Sequence, residues 1–527
     1  MIRISGIKLH YGEEKELLLK RACHVCRIEP KSVVSWKIFK QSLDVRKKED
    51  IFYIYAIDIE VKNEEHILSR IHDKNVSKAV YAVYNVPAVE KMPVKRPIVI
   101  GFGPAGIFAA LILARAGMKP IVFERGKNVE GRMADVEKMR QYGILNTSSN
   151  VQFGEGGAGT FSDGKLTTRI KDPRCAFILS EFVKAGAPEE IMYAHNPHIG
   201  TDRLIGVIKN IRKEITALGG EVHFESTITN IYVKDGMLCA IDVNGKHVEC
   251  EKAVLAIGHS ARDTFEKLKD KNIAMERKPF AVGVRIEHRQ KDIDRAQYGD
   301  EKKAAYFGPA EYKLTHTASN GRGVYTFCMC PGGYVMPAAS EENMVATNGM
   351  SFYGRTGENA NSAVLVQVWP EDFEGTDVLG GMYFQRRIEK KAFELGGGNY
   401  TAPVQRFGDF CAGRKSLSEG TVKSTYKPAI AFADINELFE GYICDALKEG
   451  IRDMGRRVKG FDSDDALLTA PESRSSSPVR ILRKMSAESI SADGLFPSGE
   501  GAGYSGGIMS SAADGIYVAE KIIESCK

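Results

Sequence analysis

From the N-terminus, apolar positions alternate over Arg3–Tyr11, take a helical period over Glu14–Val25 and alternate again over Val33–Asp44 and Ile51–Val61. They turn helical over Glu64–Ile71 and alternate over Val76–Tyr84. That order, βαββαβ, predicts a ferredoxin-like α+β domain over residues 1–92. Pro87–Pro97, with three prolines and three basic residues, reads as the linker out of it. The pattern then changes. Ile98–Ile100 is a short β-branched run between Pro97 and Gly101, as a buried parallel strand would be, and Ile107–Ala116 is apolar enough for a helix packed on a sheet. Ile121–Phe123 and Ala253–Ile257 repeat the buried-strand pattern. Glu221–Glu225, Ile228–Val233 and Cys239–Val243 alternate as a strand and an inserted hairpin. Ala281–Glu287, Gly323–Met329 and Met344–Asn348 read as strands of a mixed sheet, and Ala176–Ala185, Ile435–Arg457 and Ile508–Ile523 as helices.

Between the first buried strand and its helix lies Gly101-Phe102-Gly103-Pro104-Ala105-Gly106. Gly101 permits the tight turn, Gly103 lets backbone approach a pyrophosphate, and Gly106 lets helix and strand pack closely. The helix N-terminus adds unpaired N–H groups and a positive dipole end, and Pro104 suits its first turn. Gly117 closes the helix, and the next strand ends on Glu124, 23 residues after Gly101, where an acidic side chain accepts hydrogen bonds from an adenosine ribose. Ile98–Ala116 is nearly long enough for a membrane span, but three glycines, a proline and Arg115 within it favour the dinucleotide reading.

A second glycine-rich word, Gly154-Glu155-Gly156-Gly157-Ala158-Gly159-Thr160-Phe161-Ser162-Asp163-Gly164-Lys165, suits neither helix nor strand, and its N–H groups can wrap a flavin or another anionic ligand. A third, Gly499-Glu500-Gly501 through Gly506-Gly507, precedes the last helix. There Glu500 can accept from a ribityl hydroxyl while the dipole of the helix starting near Ile508 favours an anionic reduced flavin. Together with Glu124-Arg125, Arg132, Cys328–Tyr334 and Arg474–Arg480, these words resemble the glutathione-reductase-like flavoproteins. More closely, they resemble the bacterial group of uncharacterised FAD-dependent (NAD/FAD-utilising) dehydrogenases. The resemblance covers nearly the whole chain.

The resemblance implies a single FAD-binding Rossmann-type α/β domain over 93–273 and 466–527, with an inserted mixed-sheet substrate or cap domain over 274–465. It implies cofactor contacts from Gly101, Gly103, Pro104, Ala105, Gly106, Glu124, Arg125 and Arg132, and from Gly157, Gly159, Ser162 and Lys165 beside the isoalloxazine. Thr227 and Ile228 would lie near the adenine, Ala256 and Gly258 would return the chain to the FAD, and Gly499, Glu500, Gly506, Gly507 and Ile508 would close the site. Ile257 replaces the threonine usual between the last two, and Glu500 the usual aspartate. The strand and turn Val324–Tyr334 look like the element bordering the cavity over the flavin in geranylgeranyl-reductase-like flavoproteins. Tyr325, Phe327, Cys328 and Cys330 are therefore substrate-pocket candidates, with Arg474 and Tyr504.

Two nearby patterns carry less. Cys23-His24-Val25-Cys26 has no second ligand pair at zinc spacing, so no metal site is expected. In a regular strand Cys328 and Cys330 would stand about 6.5–7 Å apart with parallel side chains, which argues against a redox dithiol. His195, His198, His259 and Arg262 are further cavity candidates.

Composition changes little. A net charge of +5 from 73 basic and 68 acidic residues points to neither nucleic acid nor a membrane surface. Ten cysteines without regular spacing and an N-terminus without an apolar core fit a cytoplasmic protein. With one complete fingerprint and no second, the expected activity is an FAD-dependent oxidoreductase passing hydride between flavin and a small organic substrate, with NAD(P)H binding transiently. No acid or base is assignable from sequence. A flavin-dependent RNA-modifying enzyme, suggested by the basic hairpin Arg46-Lys47-Lys48, and a non-catalytic FAD-binding scaffold are the alternatives.

Overall fold

A computed structural model describes residues 1–526. At the N-terminus, strands Val33–Asp44, Phe52–Val61, Ile2–His10 and Val76–Lys78 lie in that spatial order, every neighbouring pair antiparallel. Helices Leu17–Cys26 and Glu64–Arg70 complete a ferredoxin-like unit. Leu18, Ala22 and Cys26 pack on Ile2, Ile4, Ile57 and Ile59, so the cysteine pair is buried at a helix end. The last strand is shorter than the pattern predicts. Its neighbour begins at Ile2, opposite Lys78, so the ladder ends there and Val80 and Val83 are exposed instead of paired.

The basic side chains of the hairpin Arg46-Lys47-Lys48 are exposed, while its backbone and the aromatic residues beyond it are held against the third unit. Lys303 Nζ donates to the Lys48 carbonyl at 2.6 Å, Tyr53 Oη to the Phe307 carbonyl at 3.1 Å, and Tyr306 Oη to the Glu13 carbonyl at 2.5 Å. The aromatic side chains of Tyr11, Tyr53, Tyr306 and Phe307 pack against one another there, with ring centroids 4.9–6.2 Å apart.

The second unit is built on five parallel strands in the order Leu495–Pro497, Ala253–Leu255, Ile98–Ile100, Ile121–Phe123, Glu221–His223. Counted along the chain this is 5-4-1-2-3, or 3-2-1-4-5 from the other edge, the doubly wound order whose ligands sit where the winding reverses, between Ile98–Ile100 and Ala253–Leu255. Helix Pro104–Arg115 is buried from Ala105 to Ala114 because the sheet covers one side and helix Ile508–Glu524 the other. A Cβ at Gly515 would come within 2.1 Å of the Ala105 carbonyl oxygen, so glycine sets how closely those helices approach. The expected hairpin has three strands, Ile228–Lys234, Met237–Val243 and Lys246–Glu249.

The third unit is a seven-stranded mixed sheet centred on Phe280–Arg289, flanked by Asn359–Val368 and Leu467–Glu472. Helices Gly380–Leu395 and Gly441–Arg457 pack with it. Ile435–Glu437 is a separate 3₁₀ turn, which shortens the predicted last helix of this unit. The domain boundary expected at 466 is corrected too: Leu467–Glu472 pairs with Phe280–Arg289 and Ala402–Arg406, so the chain returns to the nucleotide unit only after Glu472. Among the described residues no helix is long and apolar enough to cross a membrane.

Candidate functional site

A cavity of about 1490 Å³ runs from the winding reversal of the parallel sheet to the strand Gly323–Cys330 of the mixed sheet. Three glycine-rich loops form its first part. Gly101 has φ +94°, and a Cβ there would lie 2.4 Å from the Ala256 carbonyl oxygen. A Cβ on Gly106 would lie 1.9 Å from the Gly101 carbonyl oxygen, so that residue faces its own strand and not the cavity. Gly258, Gly506 and Gly507 line the cavity with no other atom within 4 Å of where a Cβ would stand. The helices Pro104–Arg115 and Ile508–Glu524 both start at this wall after glycines that give no side-chain cap, leaving their first N–H groups for a ligand.

Glu124 ties two of the loops together. Its carboxylate accepts the N–H groups of Phe102 at 2.7 Å and of Gly126 and Gly154 at 2.9 Å, and it lines the cavity while almost fully buried. Of roughly four acceptor positions on a carboxylate, one is left for a ribose hydroxyl. Arg132, expected at the cofactor, is off the wall. Fully buried, it donates to the carbonyls of Asn150, Val151 and Glu155 at 2.8, 2.9 and 2.7 Å, and burial pulls its pKa down to about 9. It is the clamp of the second glycine loop.

The other expected residues divide similarly. Gly103, Pro104, Ala105, Arg125, Gly157, Gly159, Ser162, Lys165, Ile228, Ala256, Gly499, Glu500 and Ile508 line the cavity, as do Tyr325, Phe327, Cys328, Arg474 and Tyr504. Thr227 does not; its neighbours Ser226 and Ile228 do. Cys330 stands just behind the wall. His195 and His259 line the cavity, whereas His198 bonds the Tyr353 carbonyl at 3.1 Å. Arg262 and Arg474 share one buried carboxylate: each forms two bonds to Glu389, at 2.8 and 2.8 Å and at 2.9 and 2.7 Å, and together they hold it far below the usual carboxylate range. Arg474 therefore presents an occupied guanidinium to the cavity.

Sequence reasoning missed the most consequential groups. Asp514 accepts the Gly499 N–H at 2.7 Å and two bonds from Arg483, fixing the turn before Glu500. Arg285 is fully buried on the central strand, donating to Asn361 Oδ1 and to the Cys328 carbonyl at 2.9 Å. A Cβ at position 349 would sit 2.0 Å from its Nη2, so Gly349 makes the space it occupies. Glu472, on the cavity wall, has its Oε2 3.5 Å from Arg285 Nη1, and neither atom has a hydrogen-bond partner among the described residues. Burial pushes the Glu472 carboxyl up to about 7 against the pull of Arg285. Both charges follow apolar runs, Phe280–Val284 before Arg285 and Ala470–Pro471 before Glu472, and that was the legible signal. His259 Nε2, on the same wall, is also buried without a partner, and its Nδ1 is 3.5 Å from Glu500 Oε1. Lys165 lies 3.7 Å from both Asp163 and Glu311, which hold its pKa up although burial opposes the charge.

An open glycine wall, two uncapped helix N-termini, one free acceptor on Glu124 and unpartnered polar atoms on His259 and Glu472 fit a dinucleotide carrying a polar ring system. Among the described residues no three His, Cys, Asp or Glu side chains converge to hold a metal ion.

Residues 279–475 match the family described as FAD-dependent protein, C-terminal domain-like, and residues 1–60 match a domain of unknown function. An uncharacterised protein of Clostridium beijerinckii is 51% identical over 525 residues, 99% of this chain and 98% of its own length. Among solved structures, L-proline dehydrogenase from P. horikoshii is similar at 9% identity and TM-score 0.39, over 83% of this chain and 94% of its own. A geranylgeranyl bacteriochlorophyll reductase-like protein from Thermoplasma acidophilum is similar at 14% identity and TM-score 0.35, over 81% and 78%. Glycine oxidase from Bacillus cereus is similar at 11% and 0.32, over 82% and 95%.

Proposed function

We propose that this chain, which belongs to the family of the clostridial protein, is an FAD-dependent oxidoreductase acting on a small organic substrate that gives up a hydride and a proton. The observation that carries the reading is the pair of uncapped helix N-termini meeting an open glycine wall at the winding reversal of the parallel sheet. When bound, FAD supplies the two-electron acceptor for the hydride. The N-terminus of Pro104–Arg115 holds its pyrophosphate, the free acceptor of Glu124 its ribose, and Glu500 a ribityl hydroxyl. The N-terminus of Ile508–Glu524 favours negative charge on the ring system.

The strand Gly323–Cys330 forms the far wall, where Tyr325 and Phe327 exclude water from the substrate. Glu472 takes the substrate proton: it faces the cavity, has a free oxygen and titrates near neutrality. A nicotinamide nucleotide serves as a transient donor in the reducing direction.

The scaffold alternative needs a closed site, whereas Gly506, Gly507 and Phe327 are exposed at the cavity's edge. The basic side chains that suggested RNA are exposed, but Phe52, Tyr53 and Tyr55 beyond them are packed inward and are not presented for base stacking.

The test is the absorbance spectrum of the purified protein, followed anaerobically after NADH or NADPH is added. Flavin absorbance that bleaches is the expected result. Flavin that persists removes the nicotinamide donor, and no flavin after reconstitution removes the proposal.

A further inference from the structure

Regular strand geometry argues against pairing Cys328 with Cys330, but the strand is not regular there. Phe327 pairs with Ala363 and Cys330 with Asn361, so three steps on one strand face two on the other, which is a β-bulge with one extra residue. Cys328 carries the distortion, with φ +44°. The bulge folds the two cysteines together: Cys330 Sγ donates to the Cys328 carbonyl at 3.3 Å, and Arg285 Nη2 reaches that carbonyl at 2.9 Å and Cys330 Sγ at 3.8 Å. Cys328 itself lines the cavity.

The charged and titratable groups facing the pair are Arg285, Lys165, Asp163 and Glu472. The adjacent Cys330 side chain, with the Arg285 and Lys165 cations, pulls the Cys328 thiol well below its ordinary value, and the Cys330 thiol is pushed up. The sulfur on the cavity wall thus favours the thiolate while its buried neighbour holds its proton, the division of labour of a nucleophilic and a resolving cysteine.

We propose that Cys328 and Cys330 form a redox-active dithiol whose substrate is a low-molecular-weight disulfide entering the cavity. The Cys328 thiolate attacks one sulfur of the disulfide RSSR, forming the Cys328–S–SR bond and releasing RS⁻, which Arg285 and Lys165 stabilise. Cys330 then loses its proton and attacks Cys328 Sγ, closing the Cys328–Cys330 disulfide and releasing the second RS⁻. The two thiols are oxidised by one electron pair and RSSR is reduced to two RSH. Reopening the pair takes an electron pair and two protons, which a bound flavin in its reduced form would supply, and this half of the cycle rests on the oxidoreductase reading above. In sequence, the dithiol is then the exit by which electrons taken from the organic substrate leave the protein.

The test uses the full-length protein as purified, its flavin content read from the absorbance of cofactor released by heat. The protein is treated with bis(2-hydroxyethyl) disulfide, quenched in acid, alkylated with N-ethylmaleimide and digested with trypsin. The peptide Gly323–Arg355 contains these two cysteines and no others. The expected result is loss of both maleimide labels and of two hydrogens from this peptide, while Cys239, which is exposed, keeps its label. In Cys330→Ser the same peptide instead gains one mercaptoethanol on Cys328. Two free, labelled thiols after treatment overturn the dithiol, whether or not flavin is present. Disulfide formation in protein that takes up no flavin on reconstitution upholds the exchange site and overturns the cofactor reading instead.

Discussion

Arg285 Nη2 donates to the main-chain carbonyl of Cys328 at 2.9 Å while its Nη1 stands 3.5 Å from Glu472 Oε2. One buried cation therefore stands beside both Cys328 and Glu472 on the cavity wall. It holds the thiol down, and it restrains a carboxyl that burial raises.

Replacing that cation separates the two effects. In Arg285→Gln the midpoint of Cys328 alkylation, followed by iodoacetamide labelling against pH, is expected to rise toward the ordinary thiol value of about 8.5. A midpoint that stays put would place the thiolate's stabilisation in Cys330 alone.

If Glu472 accepts the substrate proton, its ionised form is the working one, so kcat/KM should rise with pH through about 7 and level off above. Glu472→Gln is expected to abolish that rise and lower the rate by about 10²- to 10⁴-fold with flavin content unchanged. Steady-state kinetics across pH 5–9 on both proteins checks this.

Two glycines at the cofactor wall are expected to fail in different ways. At Gly506 the space beyond the backbone is empty, so Gly506→Val should fold with an unchanged melting temperature and lose flavin. At Gly106 a Cβ would lie 1.9 Å from the Gly101 carbonyl oxygen, so Gly106→Val should damage the fold itself. Circular-dichroism melts beside flavin absorbance distinguish the two.

Arg132→Met is expected to leave the loop carbonyls of Asn150, Val151 and Glu155 without their donor. Leaving several buried acceptors unpaired costs about 1–3 kcal/mol each at most, and partial relaxation brings the total to a few kcal/mol. Urea denaturation followed by tryptophan and flavin signals measures it. Flavin should also bind more weakly, because the loop carrying Gly157 and Gly159 loses its anchor.

The nucleotide fold was legible because its signal is local. A strand, a glycine turn, a helix and a strand ending in Glu124 are consecutive, and each is dictated by residues within a few positions of it. The Arg285–Glu472 pair was not, since nearly the whole third unit separates the two residues and only the pairing of their strands brings them together. The bulge at the cysteine pair was hidden for a related reason. Whether Val324–Cys330 is regular depends on its register with Asn359–Val368, and that register holds the bulge. Arg132 was placed by resemblance to a motif, which marks that a residue matters without distinguishing a ligand contact from a clamp.

The shared carboxylate of Glu389 bears on how the cavity admits its ligands. Arg262 follows the strand Ala253–Leu255, Glu389 lies on the helix over the mixed sheet, and Arg474 is on the segment joining the two units. A hinge swinging one unit away from the other would pull Glu389 from a guanidinium in a place without water to replace it, at a cost of about 3–5 kcal/mol. Traffic is thus left to the exposed parts of the wall, at Gly506, Gly507 and Phe327, and the body of the protein behaves as a fixed vessel.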